Sequence, residues 1–158
     1  MNPMGAVHPR VLGFLGRALS LELSAVQQYM TQASLLEAWG QSDAAARFRR
    51  DTVEELQHAE RLVQRMLTLG VCPGASQLQP VETARDLPGL LRIDAGLEAD
   101  LIQHYAEAVR FCVLIRDSDN EAFFRALWQE EQQHGEDLTL WQRDLAGGHH
   151  FLATRASF

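Results

Sequence analysis

Two Glu-x-x-His motifs carry the first chemical signal in this sequence: Glu55 with His58, and Glu131 with His134. On a helix, three residues is nearly one turn, so each motif projects a carboxylate and an imidazole from one face. A pair of that kind can ligate one metal ion. With 12 Glu and 6 His in 158 residues, chance supplies about 0.5 of such motifs, and one alone would mean little. Two of them, with lone glutamates Glu22 and Glu98 among apolar neighbours in other segments, is a much rarer arrangement. Glu22 lies in Leu21-Glu22-Leu23 and keeps the phase of Leu15, Leu19 and Val26, so it faces inward. Glu98, in Gly96-Leu97-Glu98-Ala99, is four residues after Asp94 and seven before Tyr105.

Four carboxylates and two imidazoles in an apolar core would repel one another, and the acids would shift toward protonation. Two divalent cations balance the four negative charges. An oxygen-rich set with one nitrogen per ion suits Fe, Mn or Zn rather than copper or a structural zinc site. Six such groups cannot fill two separate shells, so one or two carboxylates must bridge the ions. A bridged pair can pass one electron from each ion to O₂. Two readings compete: surface glutamates with helix-capping histidines, and a purely structural bundle, which would leave four buried carboxylates uncompensated at high cost.

Helices must position these groups. From about Pro9 to Trp39 the apolar positions Val11, Leu12, Leu15, Leu19, Leu23, Val26, Tyr29, Met30, Ala33 and Leu36 recur at steps of three and four, and Gly40 follows as a stop. A second helix is predicted over 42–69, with Ser42 as its cap and Gly70 closing it. Residues 71–85 carry Cys72-Pro73-Gly74, Ser76, Pro80 and Thr83 without a period and read as a long crossover. A third helix is predicted over 86–116, with Pro88 tolerated in its first turn, and a fourth over 120–145 after the break Asp117-Ser118-Asp119-Asn120. Gly147-Gly148 then sets off a tail, expected to form a short fifth helix over about 149–157. Two hairpins joined by one long connection make an all-α four-helix bundle, taken as one domain over 1–158.

Composition narrows the function classes. The chain has 14 basic and 21 acidic residues, a formal net charge of -7. That balance argues against nucleic acid as a partner. No apolar run approaches the ~20 residues of a membrane span. The start, Met1-Asn2-Pro3-Met4-Gly5, lacks the basic-then-apolar pattern of a secretory signal. Cys72 and Cys112 lie far apart and form no CxxC pair, so reduced thiols in a cytoplasmic protein are expected.

Beyond the ligand pattern, the sequence resembles the bacterioferritins, a haem-associated branch of the ferritins. Leu21-Glu22-Leu23-Ser24-Ala25-Val26-Gln27-Gln28-Tyr29 and Glu37-Ala38-Trp39-Gly40 are similar to the family's first helix. Glu54-Glu55-Leu56-Gln57-His58-Ala59-Glu60-Arg61, followed by Arg65-Met66-Leu67, is similar to its second. The likeness spans about residues 10 to 145 with little need for gaps. It implies a ferritin-like fold in which Glu22, Glu55, His58, Glu98, Glu131 and His134 hold two iron ions per subunit as a ferroxidase centre. Glu55 and Glu131 are then the bridging carboxylates, and Tyr29 stands beside the centre. The implied activity is oxidation of Fe(II) by O₂ or H₂O₂ and storage of ferric mineral in a homo-oligomeric shell of twenty-four subunits, with a ferredoxin-type reductant for release.

One departure bears on haem. The family's axial methionine directly follows the glutamate of the second-helix motif, and that position here is Leu56. Leucine has no donor atom, so haem is not expected in a homopolymer. Met66 lies nearly three turns further along and is no substitute. A mixed shell with a haem-ligating subunit could offer one methionine at most. Two other classes compete: a non-storing di-iron or di-manganese oxidase or peroxidase, and a DNA-protecting mini-ferritin. The missing CxxC disfavours a rubredoxin-type relay; the acidic balance and ligands from all four helices of one chain disfavour the DNA-binding class. His149 and His150 read as a helix-starting or flexible segment rather than a second metal site, and His8 and His104 as structural or exposed.

Overall fold

The computed structural model describes residues 6–155, with side chains to residue 148. Four helices follow in order: α1 (Pro9–Ala38), α2 (Ser42–Thr68), α3 (Leu87–Ile115) and α4 (Ser118–Arg155). Among the described residues there is no strand. The chain forms a helical bundle in which α1 packs along α2, α3 along α4, and α1 also touches α3.

Local chemistry explains the ends. The His8 side chain accepts from the Arg10 backbone N–H, and Pro9 sits where its missing N–H costs nothing. Gly40 and Gly70 close α1 and α2 at φ of 75° and 79°, where a side chain would be strained. Asp86 caps α3 by accepting from Gly89 N–H at 2.8 Å. Arg116, at φ 59°, ends α3, and Asp117 starts α4 by accepting from Asn120 N–H at 3.1 Å.

Two expectations change. Ser42 lies inside the first turn of α2, its hydroxyl directed to Glu37 Oε1 at 3.3 Å, and the cap position is Gln41, which makes no side-chain capping bond. The fourth helix does not stop near Leu145: α4 runs through Gly147-Gly148 to Arg155 and takes in the tail expected to form a fifth helix. A glycine costs a helix about 1 kcal/mol relative to alanine but keeps its N–H, so two glycines weaken a helix without ending it. The side chains of His149 and His150 lie outside the described residues.

The core is built from apolar stripes, with Val11, Leu15, Leu36, Phe48, Leu62, Leu90, Leu91, Leu101, Phe124 and Leu127 fully enclosed. Through this core run buried polar residues, among them Glu22, Gln32, Glu55, Asp94, Glu98 and Glu131. The crossover, residues 71–84, has no regular secondary structure and is hydrogen-bonded to α1. Ser20 and Ser24 accept from the backbone N–H groups of Gln77 and Gln79, at 3.1 and 2.9 Å. Gln28 accepts from Glu82 N–H at 2.9 Å and donates to Glu82 O at 2.6 Å. A four-residue step on a helix advances about 6 Å and two residues of extended chain about 6.6 Å, so the serine pair can meet alternate residues, Gln77 and Gln79, and the longer glutamine reaches further. Cys72 and Cys112 are free thiols. No helix among the described residues is long and apolar enough to cross a membrane.

Candidate metal centre

Each helix brings one piece of the cluster to mid-bundle. Glu22 comes from α1, Glu55 and His58 from α2, Glu98 from α3, and Glu131 and His134 from α4. The four carboxylates are at most 1 % exposed, and the histidines lie at the outer rim of the group. His58 Nδ1 is 2.7 Å from Glu131 Oε1, 3.3 Å from Glu55 Oε2 and 3.6 Å from Glu22 Oε1. His134 Nδ1 is 2.9 Å from Glu55 Oε1 and 3.2 Å from Glu98 Oε1. Both imidazoles therefore turn Nδ1 toward the carboxylates.

Two sets of potential ligand atoms result, Glu22, Glu55, His58 and Glu131, and Glu55, Glu98, Glu131 and His134, each set lying within 4.8 Å. Glu55 and Glu131 belong to both. Glu22 Oε2, Glu98 Oε2 and Glu131 Oε2 are buried without a hydrogen-bond partner, and the two buried oxygens of Glu55 have only the imidazole contacts at 2.9 and 3.3 Å, neither of which is a well-aligned hydrogen bond. Buried acceptors in native proteins are nearly always satisfied. Orphaned hard oxygens beside inward-facing imidazole nitrogens fit a pair of divalent cations of the Fe, Mn or Zn kind.

The electrostatics of the metal-free cluster point the same way. Burial raises Glu22 and Glu98 well above the usual carboxylate range, in Glu22 against the His58 contact and in Glu98 with the charges of Glu55 and Glu131 adding to it. Glu131 is raised by burial and by Glu55. Burial would also raise Glu55, but the imidazoles of His134 and His58 outweigh it and pull the carboxyl far down. Burial would lower His134, yet Asp51, Glu55 and Glu98 push it up to about 12. His58 rises likewise against burial, through Glu131, Glu22 and Glu55. The protein thus holds its surplus negative charge in check with protons, which cations can replace.

Around this cluster lie residues that the motifs did not reveal. Tyr29 donates its hydroxyl to Glu98 Oε1, and Tyr105 donates to Glu22 Oε1 at 2.5 Å. Tyr29 was expected beside the cluster; Tyr105 was not, although it follows Glu98 by the same seven residues that separate Tyr29 from Glu22. On the outward side, His58 Nε2 meets Glu130 Oε2 at 2.9 Å, and Arg61 donates to that same oxygen at 2.7 Å. His134 Nε2 is 3.7 Å from Asp51. These groups line a surface cavity of about 470 Å³ that opens above the two histidines. Asp94 and Gln32, fully enclosed and without hydrogen-bond partners, form a second polar pair in the core. His104 stands apart, with Nε2 2.9 Å from Phe14 O, and burial lowers its basicity.

The chain is similar to known proteins. Residues 13–147 match the ferritin-like domain family. Bacterioferritin from Rhodobacter capsulatus is 31% identical over 125 residues, 79% of this chain and 78% of its own. Bacterioferritin from Brucella melitensis is 30% identical over 126 residues, 80% and 78% of the two chains. A crystal structure of the Rhodobacter capsulatus protein, described as having a metal-free dinuclear site and a haem iron, superposes with a TM-score of 0.80 at 30% identity, covering 86% of this chain and 88% of that one. The chain belongs to the ferritin-like family and has the bacterioferritins as its relatives.

Proposed function

We propose that this chain is a ferroxidase subunit of a cytoplasmic iron-storage shell, oxidising Fe(II) with O₂ or H₂O₂ and depositing ferric mineral inside an assembly of twenty-four subunits. The observation that carries this reading is the set of orphaned, buried carboxylate oxygens around two inward-turned imidazoles, divided into two groups that share Glu55 and Glu131. The relatives' function supports storage rather than an isolated oxidase.

In this reading two Fe(II) ions are the substrate, and each yields one electron to the oxidant. Glu22 and His58 hold one ion, Glu98 and His134 the other, and Glu55 and Glu131 bridge. The four carboxylates balance two divalent charges, so binding displaces the protons that the metal-free cluster retains. The surface cavity reaches the outer side of His58 and His134, the two cluster residues that line it. Neither haem nor a redox partner is needed for the oxidation step. Leu56 offers no donor, so the homopolymer is read as haem-free, with haem confined to a mixed shell containing a methionine-bearing subunit.

Addition of Fe(II) in air to the metal-free assembly tests the reading. Rapid ferric absorbance from roughly two irons per chain, followed by slower uptake of hundreds more into a large particle, is the expected result. The rapid phase should fall at least a hundredfold in Glu55→Ala, because both metal positions lose a ligand together. Rapid oxidation without a large particle would replace storage with a non-storing di-metal oxidase. Absence of any rapid phase would overturn the ferroxidase assignment.

A further inference from the structure

The two buried tyrosines obey one rule. Tyr29 follows Glu22 by seven residues on α1, and Tyr105 follows Glu98 by seven on α3. Seven residues is close to two helical turns, so each tyrosine shares the inward face of the glutamate on its own helix. Each hydroxyl then crosses the bundle to the other helix's glutamate, Tyr29 to Glu98 and Tyr105 to Glu22. Tyr29 is 2 % exposed and Tyr105 0 %. In both glutamates one oxygen, Oε1, takes the phenol, while Oε2 is buried and unpartnered. Each glutamate belongs to only one of the two ligand groups, Glu22 with His58 and Glu98 with His134.

We propose that Tyr105 is a positioning residue for one metal position alone, holding Glu22 for the His58 side as Tyr29 holds Glu98 for the His134 side. This rests on the di-metal reading above. A glutamate has three rotatable side-chain bonds, and one hydrogen bond to a wedged phenol fixes the carboxylate while leaving its second oxygen free to donate to an ion. Among the described residues the one hydrogen bond to Glu22 within 3.5 Å comes from Tyr105, and His58 Nδ1, a proposed ligand itself, lies 3.6 Å from the same oxygen. The surroundings of the two rings differ. Tyr29 packs edge-on to His134 at 6.0 Å, a ligand of its own side, whereas Tyr105 packs against Phe124 and His104, neither of which belongs to the cluster. The hydroxyl of Tyr105 is therefore its one link to the metal position.

Co(II), which is coloured when bound and locatable by anomalous scattering, separates the two positions. Wild-type assembly should bind about two Co(II) per chain. In crystals soaked at sub-saturating Co(II), Tyr105→Phe should deplete the Glu22–His58 position and spare the Glu98–His134 position, and Tyr29→Phe should do the reverse. In solution, one of the two binding steps of Tyr105→Phe should weaken about tenfold, the loss common when a group that orients a ligand is removed. Equal depletion of both positions, or unchanged occupancy and affinity, would overturn the assignment of Tyr105. Failure of the wild-type protein to take up Co(II) at either position would instead overturn the di-metal reading, and the role of Tyr105 with it. Phe keeps the ring and its packing, so a folding failure does not mask the result.

Discussion

Asp94 shows how one buried acid sets the pH behaviour of the metal-free protein. It is 1 % exposed, neither oxygen is satisfied, and burial holds it up to about 8 from an ordinary value of 3.8. The folded chain keeps a proton there that the unfolded chain releases. Its contribution to stability is therefore intact below about pH 4 and is lost as pH rises toward 8. Asp94→Asn removes the titration with little change of shape. Chemical denaturation should find the metal-free variant close to wild type near pH 4 and more stable above pH 8, by on the order of 6 kcal/mol. A gap that stays constant across this range would mean that Asp94 does not carry the shift. The same residue marks a limit of the sequence. Glu55, His58, Glu131 and His134 were legible because ligands three residues apart leave a local signature, and Glu22 because an acid interrupts an apolar stripe. Tyr105, Asp94 and Gln32 were not, since a tyrosine passes for core and a polar pair shared between two helices has no fixed spacing along the chain.

The helices and their stops were readable from period and capping, yet the way the crossover is held was not. Ser20, Ser24 and Gln28 look like polar interruptions in α1, but they are buried and serve as a ladder for the segment 71–84. Without them the crossover would lie against α1 with its N–H groups unsatisfied. Gln28 makes two of the bonds, both to Glu82. Gln28→Ala should cost about 2 kcal/mol, one for each bond, measurable as a lower denaturant midpoint. Hydrogen exchange should show the loss of protection concentrated at the Glu82 amide, with the amides of α2 and α4 unaffected. Uniformly faster exchange would mean that the ladder serves the bundle as a whole instead of seating one segment. The tail misled for a different reason: Gly147-Gly148 reads as a break, but glycine lowers helix propensity without removing a hydrogen bond, and α4 continues.

At the scale of the whole molecule, the surface keeps several large apolar side chains half exposed, among them Met30, Val53, Leu56 and Leu67, with Leu114 more exposed still. Leu56 matters most. One residue along a helix turns the side chain by about 100°, so while Glu55 is fully buried in the cluster, Leu56 is 51 % exposed on the outside of α2. A donor at this position faces away from its own chain's core, so in the proposed shell it would meet whatever lies against the outside of α2. Wild-type assembly should therefore give no shifted haem absorption band on titration with haem. Leu56→Met should gain one, saturating near roughly one haem per two chains. The rapid Fe(II) phase should be the same in both, because the substitution lies on the face turned away from Glu55. Haem binding by wild type would show that another residue supplies the axial ligand. Failure of Leu56→Met to bind, with the assembly intact, would show that the pocket between subunits has been lost along with its methionine, and that more than one side chain separates this chain from its haem-binding relatives.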